Sequence, residues 1–319
     1  IGLSLSGTAT SWIMGNGAAV VVYGETYNWA AIICGIFTFF MIVIASVKGS
    51  KTVKLIPFIV GIGPGYALPL VFTIIGMATG PASLKLLSFQ PFIDAFGTFS
   101  ITSIVDYPKF FFLKAIETNG QYPLDAAAIG NIAMIYIPIG VVELAQHIAD
   151  HKNISSIVET DLLVEPGLHR TLLGDGIGSM VGAVFGGAPN TTYGESIACV
   201  AISGNASVAT IVCTAVLAII IAFLSPFATF LASIPSCVMG GVCISLYGFI
   251  AVSGLKMIQK VDLEDNRNLF VVSVILIAGI GGLTVSFGKV TITSIACALI
   301  LGILTNVVLG NREKSKKAE

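Results

Sequence analysis

The chain has 319 residues, of which 55% are hydrophobic and only 10% charged, against roughly 25% charged in soluble domains. Sixteen basic and seventeen acidic side chains leave a net charge of -1, and the mean hydropathy is +0.94. These values exclude an ordinary soluble domain, give no electrostatic reason to expect nucleic-acid binding, and describe a polytopic membrane protein.

A bilayer core takes about 20 apolar residues as helix, which predicts spans near residues 1–22, 26–47, 55–79, 126–149, 171–186, 206–231, 236–255, 268–284 and 290–310. The first run opens without an initiator Met and without the charged leader of a signal peptide, so a longer protein that has lost its beginning is expected. Residues 80–125 are rich in Phe and Pro and carry Asp94, Asp106, Lys109, Lys114 and Glu117. That mixture predicts amphipathic pieces lying at the membrane surface. The six cysteines all fall in apolar segments, without CxxC or a His/Cys zinc spacing, and read as small buried hydrophobes.

Basic residues cluster at Lys48/Lys51/Lys54, Lys152 with Arg170, Lys256/Lys260/Arg267, and the tail Arg312/Lys314/Lys316/Lys317. The positive-inside rule places all four on the cytoplasmic side. With the first cluster inside, the third span leads out, the fourth returns, and the fifth ends outside near Gly187. A simple loop at residues 188–205 would then strand the last two clusters outside, whereas a crossing there brings every cluster inside. Yet residues 185–196 read FGGAPNTTYGES, too polar for an ordinary spanning helix. Irregular backbone at membrane depth persists only where protein buries it or a watery cavity lines it, and transporters build substrate sites from such broken spans. Pro189, Asn190, Thr191 and Thr192 suit an extended half, and residues 194–204 a short helix starting beside Glu195.

Acids within spans are costly and mark function. The fourth span ends VVELAQHIADHKN, where Glu143, Gln146 and Asp150 share one helix face. Glu195 lies on the broken span and Asp175 near the start of the fifth. Glu195 is expected to meet a ligand or cation, the alternative being a carboxylate that ties the broken backbone together. For Asp150 the alternative is snorkelling to the interface, and for Gln146 it is bonding between helices. Structural roles weigh more for Glu143 and Asp175. His147 and His151 have the i, i+4 spacing of a metal pair, but HIADH lacks the glutamate of HExxH and Lys152 adjoins it, which argues against zinc. No GxSxG and no Ser/His/Asp set is present, so neither an enzyme nor a cofactor is expected.

The run AQHIADHKNISSIVETDLLVEPGLHRTLLGDGIGSMVGAVFGGAPNTTYGESIACVAIS, followed by IPSCVMGGVCISLYGFIAVSGLKMI, resembles the uracil and xanthine permeases of the nucleobase:cation symporter-2 (nucleobase-ascorbate transporter) family. DLL..PGLHR and PNTTYGE carry most of the specificity, and NTTYGE points to the uracil-permease branch. The resemblance implies an all-α polytopic membrane protein, part of a 7+7 inverted-repeat transporter fold with core and gate domains, a broken strand/half-helix span near 188–204, and association as a homodimer. On this count residues 1–79 are gate-domain helices, 80–125 an interfacial connection, 126–235 a core-domain half with the substrate site, 236–310 gate-domain helices, and 311–319 a basic cytoplasmic tail. The family's first four segments, which include the partner of residues 188–204, would be missing.

Carried over by position, Glu195, Gly194, Gln146 and Tyr193 are implied to bind substrate, and Asp150 and Glu143 to couple a cation, H⁺ or Na⁺. The chain departs from the family where Gln146 stands for a glutamate, and where the signature [Q/E]NxGxxxxT[R/K/G] is represented by Glu195, Ser196, Ala198, Ser203 and Gly204. Uracil offers two N–H donors and two carbonyl acceptors, so a carboxylate beside free backbone N–H groups complements one edge. The implied activity is symport of a nucleobase, uracil first, across the cytoplasmic membrane, without metal, cofactor or nucleic acid. Alternatives are a xanthine or purine permease of the same family, a non-transporting remnant of the fold, and an anion carrier of the related sulfate/bicarbonate architecture, against which a carboxylate at the site argues.

Overall fold

A computed structural model describes residues 2–15, 21–22, 25–26, 28–97, 103–105, 113, 125–187, 190, 192–259, 261–287 and 290–316, apart from a few side chains within helices. The chain divides into two compact units. One comprises Leu5–Pro108 and Ala198–Gly248, the other Ile1–Ser4, Lys109–Ile197 and Phe249–Glu319.

In the first unit, α1 (Ser6–Ile13) is followed by an antiparallel pair of two-residue strands, β1 (Val21–Val22) and β2 (Glu25–Thr26), and then by α2 (Trp29–Lys48). The predicted span at 1–22 is therefore not one helix. Gly15 adopts φ +75, a conformation that ends a right-handed helix, and the β-branched valines beyond it pair as strand instead. Asn28 restarts the helix: its Oδ1 accepts from the N–H groups of Ala30 and Ala31, and its Nδ2 donates to the Ser83 carbonyl at 2.6 Å. Asn28 is fully buried, so Asn28→Ala should cost about 2–3 kcal/mol from the lost cap and the orphaned carbonyl. Thermal unfolding of the purified protein in detergent checks this, with Asn28→Asp, which keeps the cap alone, falling in between.

Ser50 caps the short α3 (Lys51–Leu55), and α4 (Pro57–Thr79) follows with Pro64 and Pro69 inside it. The part of the stretch after residue 80 that lies among the described residues is a 3-10 turn, Ala82–Leu84, and α5 (Gln90–Phe96). The Leu87 N–H donates to Thr73 Oγ1, fastening this stretch to α4. Asp106, Lys109, Lys114 and Glu117 lie outside the described residues.

Helices α2 and α4 pack closely through small residues. A Cβ on Gly65 of α4 would press on Thr38 of α2, and α2 meets residues 237–241 as closely: a Cβ on Gly35 would lie 2.8 Å from the Cys237 carbonyl oxygen, and Gly241 against the Gly35 carbonyl leaves as little room. Lipid tails are as apolar as leucine, so helices in a bilayer associate through such close fits. Large apolar side chains such as Phe40, Ile59 and Met77 lie on the outside.

In the second unit α6 (Ala126–Val158) begins at Asp125, whose Oδ1 accepts from the Ala128 N–H. It leads through a tight connection to α7 (Leu168–Val184), after which α8 (Gly194–Ser203) passes into the first unit. The predicted span at 206–231 is broken into α9 (Val208–Ala222) and α10 (Ser225–Ser233). At the break the Ser225 N–H donates to the Ile104 carbonyl and Leu224 bridges Val105, so backbone groups that would extend the helix bond elsewhere. Pro226, in the first turn of α10, has no N–H to give.

Beyond α11 (Ser236–Ile258), α12 (Asn266–Ile280) packs on α13 (Ser294–Lys316). The predicted spans at 268–284 and 290–310 exchange their facing ends for a hairpin, β3 (Val285–Phe287) with β4 (Val290–Ile292), since Gly282 at φ +70 stops the helix. Arg267 holds α13 by donating from Nε and Nη2 to Asn306 Oδ1 at 3.2 and 3.0 Å.

Among the described residues three helices, Trp29–Lys48, Pro57–Thr79 and Ser236–Lys256, are long and apolar enough to cross a membrane, and Val208–Ala222, Asn266–Ile280 and Ser294–Gly310 are shorter apolar helices. The described residues are mostly helical, as a multi-pass membrane protein requires.

Candidate functional site

The second unit brings the polar face of α6 against the chain just before α8. At 33 residues α6 is about 50 Å long, well beyond a hydrocarbon core of about 30 Å. At about 100° per residue, Gln146, Asp150, Glu143, His147 and His151 fall in that order within an arc of about 140°.

The chain leaves α6 at Glu159, in the left-handed conformation with φ 56, and its N–H still bonds the Ser155 carbonyl. Ser155 Oγ then accepts from the Leu162 N–H and Asp161 Oδ1 from the Leu163 N–H. This folds the DLL..PGLHR stretch into a compact turn, from which Gly167, at φ +95, directs the chain into α7. The return sets Thr171, Asp175 and Ser179, each four residues apart, along one face of α7.

Asn190 is held from α7 and Thr192 from α6. The Ser179 hydroxyl on α7 donates to the Asn190 carbonyl at 2.9 Å and lies against its side-chain oxygen. On α6, Gln146 Nε2 donates to the Thr192 carbonyl at 3.3 Å, and the Thr192 hydroxyl donates to Asp150 Oδ2 at 3.0 Å. Helix α8 begins two residues later at Gly194, as the sequence predicts. A Cβ there would stand 3.1 Å from Asp150 Oδ1, so glycine is what admits the carboxylate so close to the helix start.

Of the predicted site residues, Gln146, Asp150 and Gly194 are thus in one place. Tyr193 adjoins them and is exposed. Glu143 lies on the same arc, and its Oε2 is buried without a hydrogen-bond partner among the described residues. Glu195 is the second residue of α8; its side chain, with Pro189 and Thr191, lies outside the described residues.

The arrangement offers acceptors and donors side by side. Both oxygens of Asp150 face the segment, Gln146 retains its amide oxygen, and the opening N–H groups of α8 have no partner within their own helix. A planar ligand with alternating N–H and C=O groups matches such an edge.

Thr192 and Ser179 are not among the predicted site residues. Both are neutral hydroxyls, and only the four-residue spacing of Thr171, Asp175 and Ser179 on a helix gives Ser179 away. The histidine pair is built for packing: the His147 and His151 rings stack with centroids 4.2 Å apart, and His151 Nδ1 donates to the His147 carbonyl at 2.9 Å. Among the described residues no group of three or more His, Cys, Asp or Glu could hold a metal ion.

A family model described as Permease family matches residues 1–287. The chain is 34% identical over 318 residues to the uracil permease of Bacillus caldolyticus, covering 99% of this chain and 66% of that protein. It is 33% identical over 316 residues to the uracil permease of Bacillus subtilis (97% and 66%) and 33% over 305 residues to that of Escherichia coli K12 (95% and 63%). The chain thus spans about two thirds of the length of these relatives.

Proposed function

The chain belongs to the permease family, and on that premise we propose that it carries a nucleobase, uracil first, across the cytoplasmic membrane in symport with protons. The observation that carries the proposal is the meeting of Gln146 and Asp150 with the start of α8 at Gly194. The relatives' name, uracil permease, supplies the substrate. In this reading Glu195 accepts from the uracil N–H groups, the first N–H groups of α8 donate to a uracil carbonyl, and Gln146 and Tyr193 complete the edge. Gln146 binds a base but cannot carry a proton, so coupling falls to Asp150, with Glu143 on the same arc as the second carboxylate. A carboxylate withdrawn from water loads and releases protons readily near neutral pH.

The same reading assigns α6 to α10 to the core domain and α1 to α4 with α11 to α13 to the gate domain of a dimeric inverted-repeat transporter, with the C-terminus cytoplasmic. Uptake of radiolabelled uracil tests it, in cells that lack their own uracil permease and express this protein from its own gene. Saturable uptake is expected that excess uracil blocks, sulfate does not, and a protonophore collapses. Uptake of uracil at the level of cells without the gene overturns the proposal, and stronger competition by xanthine moves the substrate to the purines.

A further inference from the structure

His147 is buried, 2% exposed, on a helix whose other polar residues serve the site, yet neither of its ring nitrogens faces the site. Nε2 lies 3.0 Å from Thr171 Oγ1 and Nδ1 lies 3.5 Å from Asp175 Oδ2, an ion-pair distance. Thr171 and Asp175 are one turn apart on α7, so one imidazole spans two consecutive rungs of the neighbouring helix. The Thr171 hydroxyl donates to the Leu168 carbonyl at 3.1 Å, so the tautomer that suits it carries its proton on Nε2 and donates to Thr171 Oγ1, while Nδ1 makes no hydrogen bond among the described residues and meets Asp175 only at 3.5 Å. On its open side the ring is backed by His151.

This contact fixes an angle as well as a separation. Gln146 precedes His147, and Asp150 lies three residues on, so the rotation at which His147 meets α7 also sets where Gln146 and Asp150 point. A turn of α6 by one residue, about 100°, would carry both away from Thr192. Ser179, further along the same face of α7, is engaged with Asn190 and does not resist that turn.

We infer that His147 is a positioning residue that buckles α6 to α7 through its hydrogen bond to Thr171, with Asp175 beside its other nitrogen, and thereby holds Gln146 and Asp150 against Thr192 and Gly194. The inference rests on the reading of that place as the substrate site, but its geometry can be tested separately.

His147→Ala should raise the KM for uracil uptake about tenfold, the worth of one buried polar contact, while the maximal rate per transporter in the membrane changes little. His147→Gln, whose amide still reaches Thr171, should recover part of that loss, and Asp175→Asn should add little once His147 is alanine. Hydrogen exchange followed by mass spectrometry supplies a readout that does not depend on transport. Amides of residues 192–196 should exchange several-fold faster in His147→Ala, while peptides from α12 and α13 keep their rates. Unchanged exchange at 192–196, or acceleration spread equally over α12 and α13, overturns the inference. If the unaltered protein takes up no uracil, the substrate reading fails and the exchange result alone decides the buckle.

Discussion

Asp150→Asn should leave uracil exchange running while net uptake loses its dependence on the pH gradient. Asparagine keeps an oxygen to accept from the Thr192 hydroxyl, so residues 192–194 stay in place, but its amide cannot load a proton. With one proton carried per uracil, a gradient of one pH unit sustains about tenfold accumulation, since 1.4 kcal/mol corresponds to a factor of ten. The variant should only equilibrate, at a ratio near one. Proteoliposomes with an imposed pH gradient give the measurement, and accumulation equal to that of the unaltered protein would remove Asp150 from the coupling role. The same experiment on Glu143→Gln then decides whether the second carboxylate on the arc carries the proton.

Glu195→Ala should weaken uracil binding about 100-fold, as expected when a carboxylate's charge-assisted hydrogen bonds to a ligand are lost. Glu195 is the second residue of α8, at the end whose first N–H groups lack partners within the helix, so in the proposed site its removal takes an acceptor away beside donors that remain. Uracil would then meet the helix start with its N–H groups unanswered, and that mismatch supplies most of the loss. Glu195→Gln, which keeps one acceptor, should lose less. Equilibrium binding of radiolabelled uracil to protein in detergent reads both, and an alanine variant of normal affinity would exclude Glu195 from the site.

Much of this architecture is legible in the sequence because hydropathy and polar spacing act locally. The face shared by Gln146 and Asp150, and the helix that starts at Gly194, follow from the three-and-four rule and from a glycine that opens a helix after a polar run. Hydropathy counts side chains, however, and is blind to backbone that bonds sideways. The runs at 1–22 and 206–231 therefore read as single helices, although Gly15 turns the first aside and Ile104 and Val105 divert the backbone at Leu224 and Ser225 in the second. The bonding roles of Thr192 and Ser179 are hidden for a related reason. Hydroxyls weigh little on a hydropathy scale, and their importance comes from partners 42 and 11 residues away. His147 presents a different difficulty: its spacing from His151 suggests a metal pair that the missing glutamate argues against, and its role shows only in the bond to Thr171 across the helix boundary.

The fit of α2 to α4, with Gly65 against Thr38, and of α2 to α11, with Gly35 against Cys237 and Gly241 against Gly35, involves no charged group. Cohesion of that kind has nothing for ions to screen and nothing to titrate. Salt and acid that disturb the Asp150 and Asp175 contacts should leave this bundle as tight as before. What loosens it is a wedge: a methyl group introduced at Gly35 or Gly65, or a short-chain alcohol or detergent slim enough to part the helices. The two units of one chain should therefore fail under different solvents, which gives a purification buffer two independent settings to satisfy.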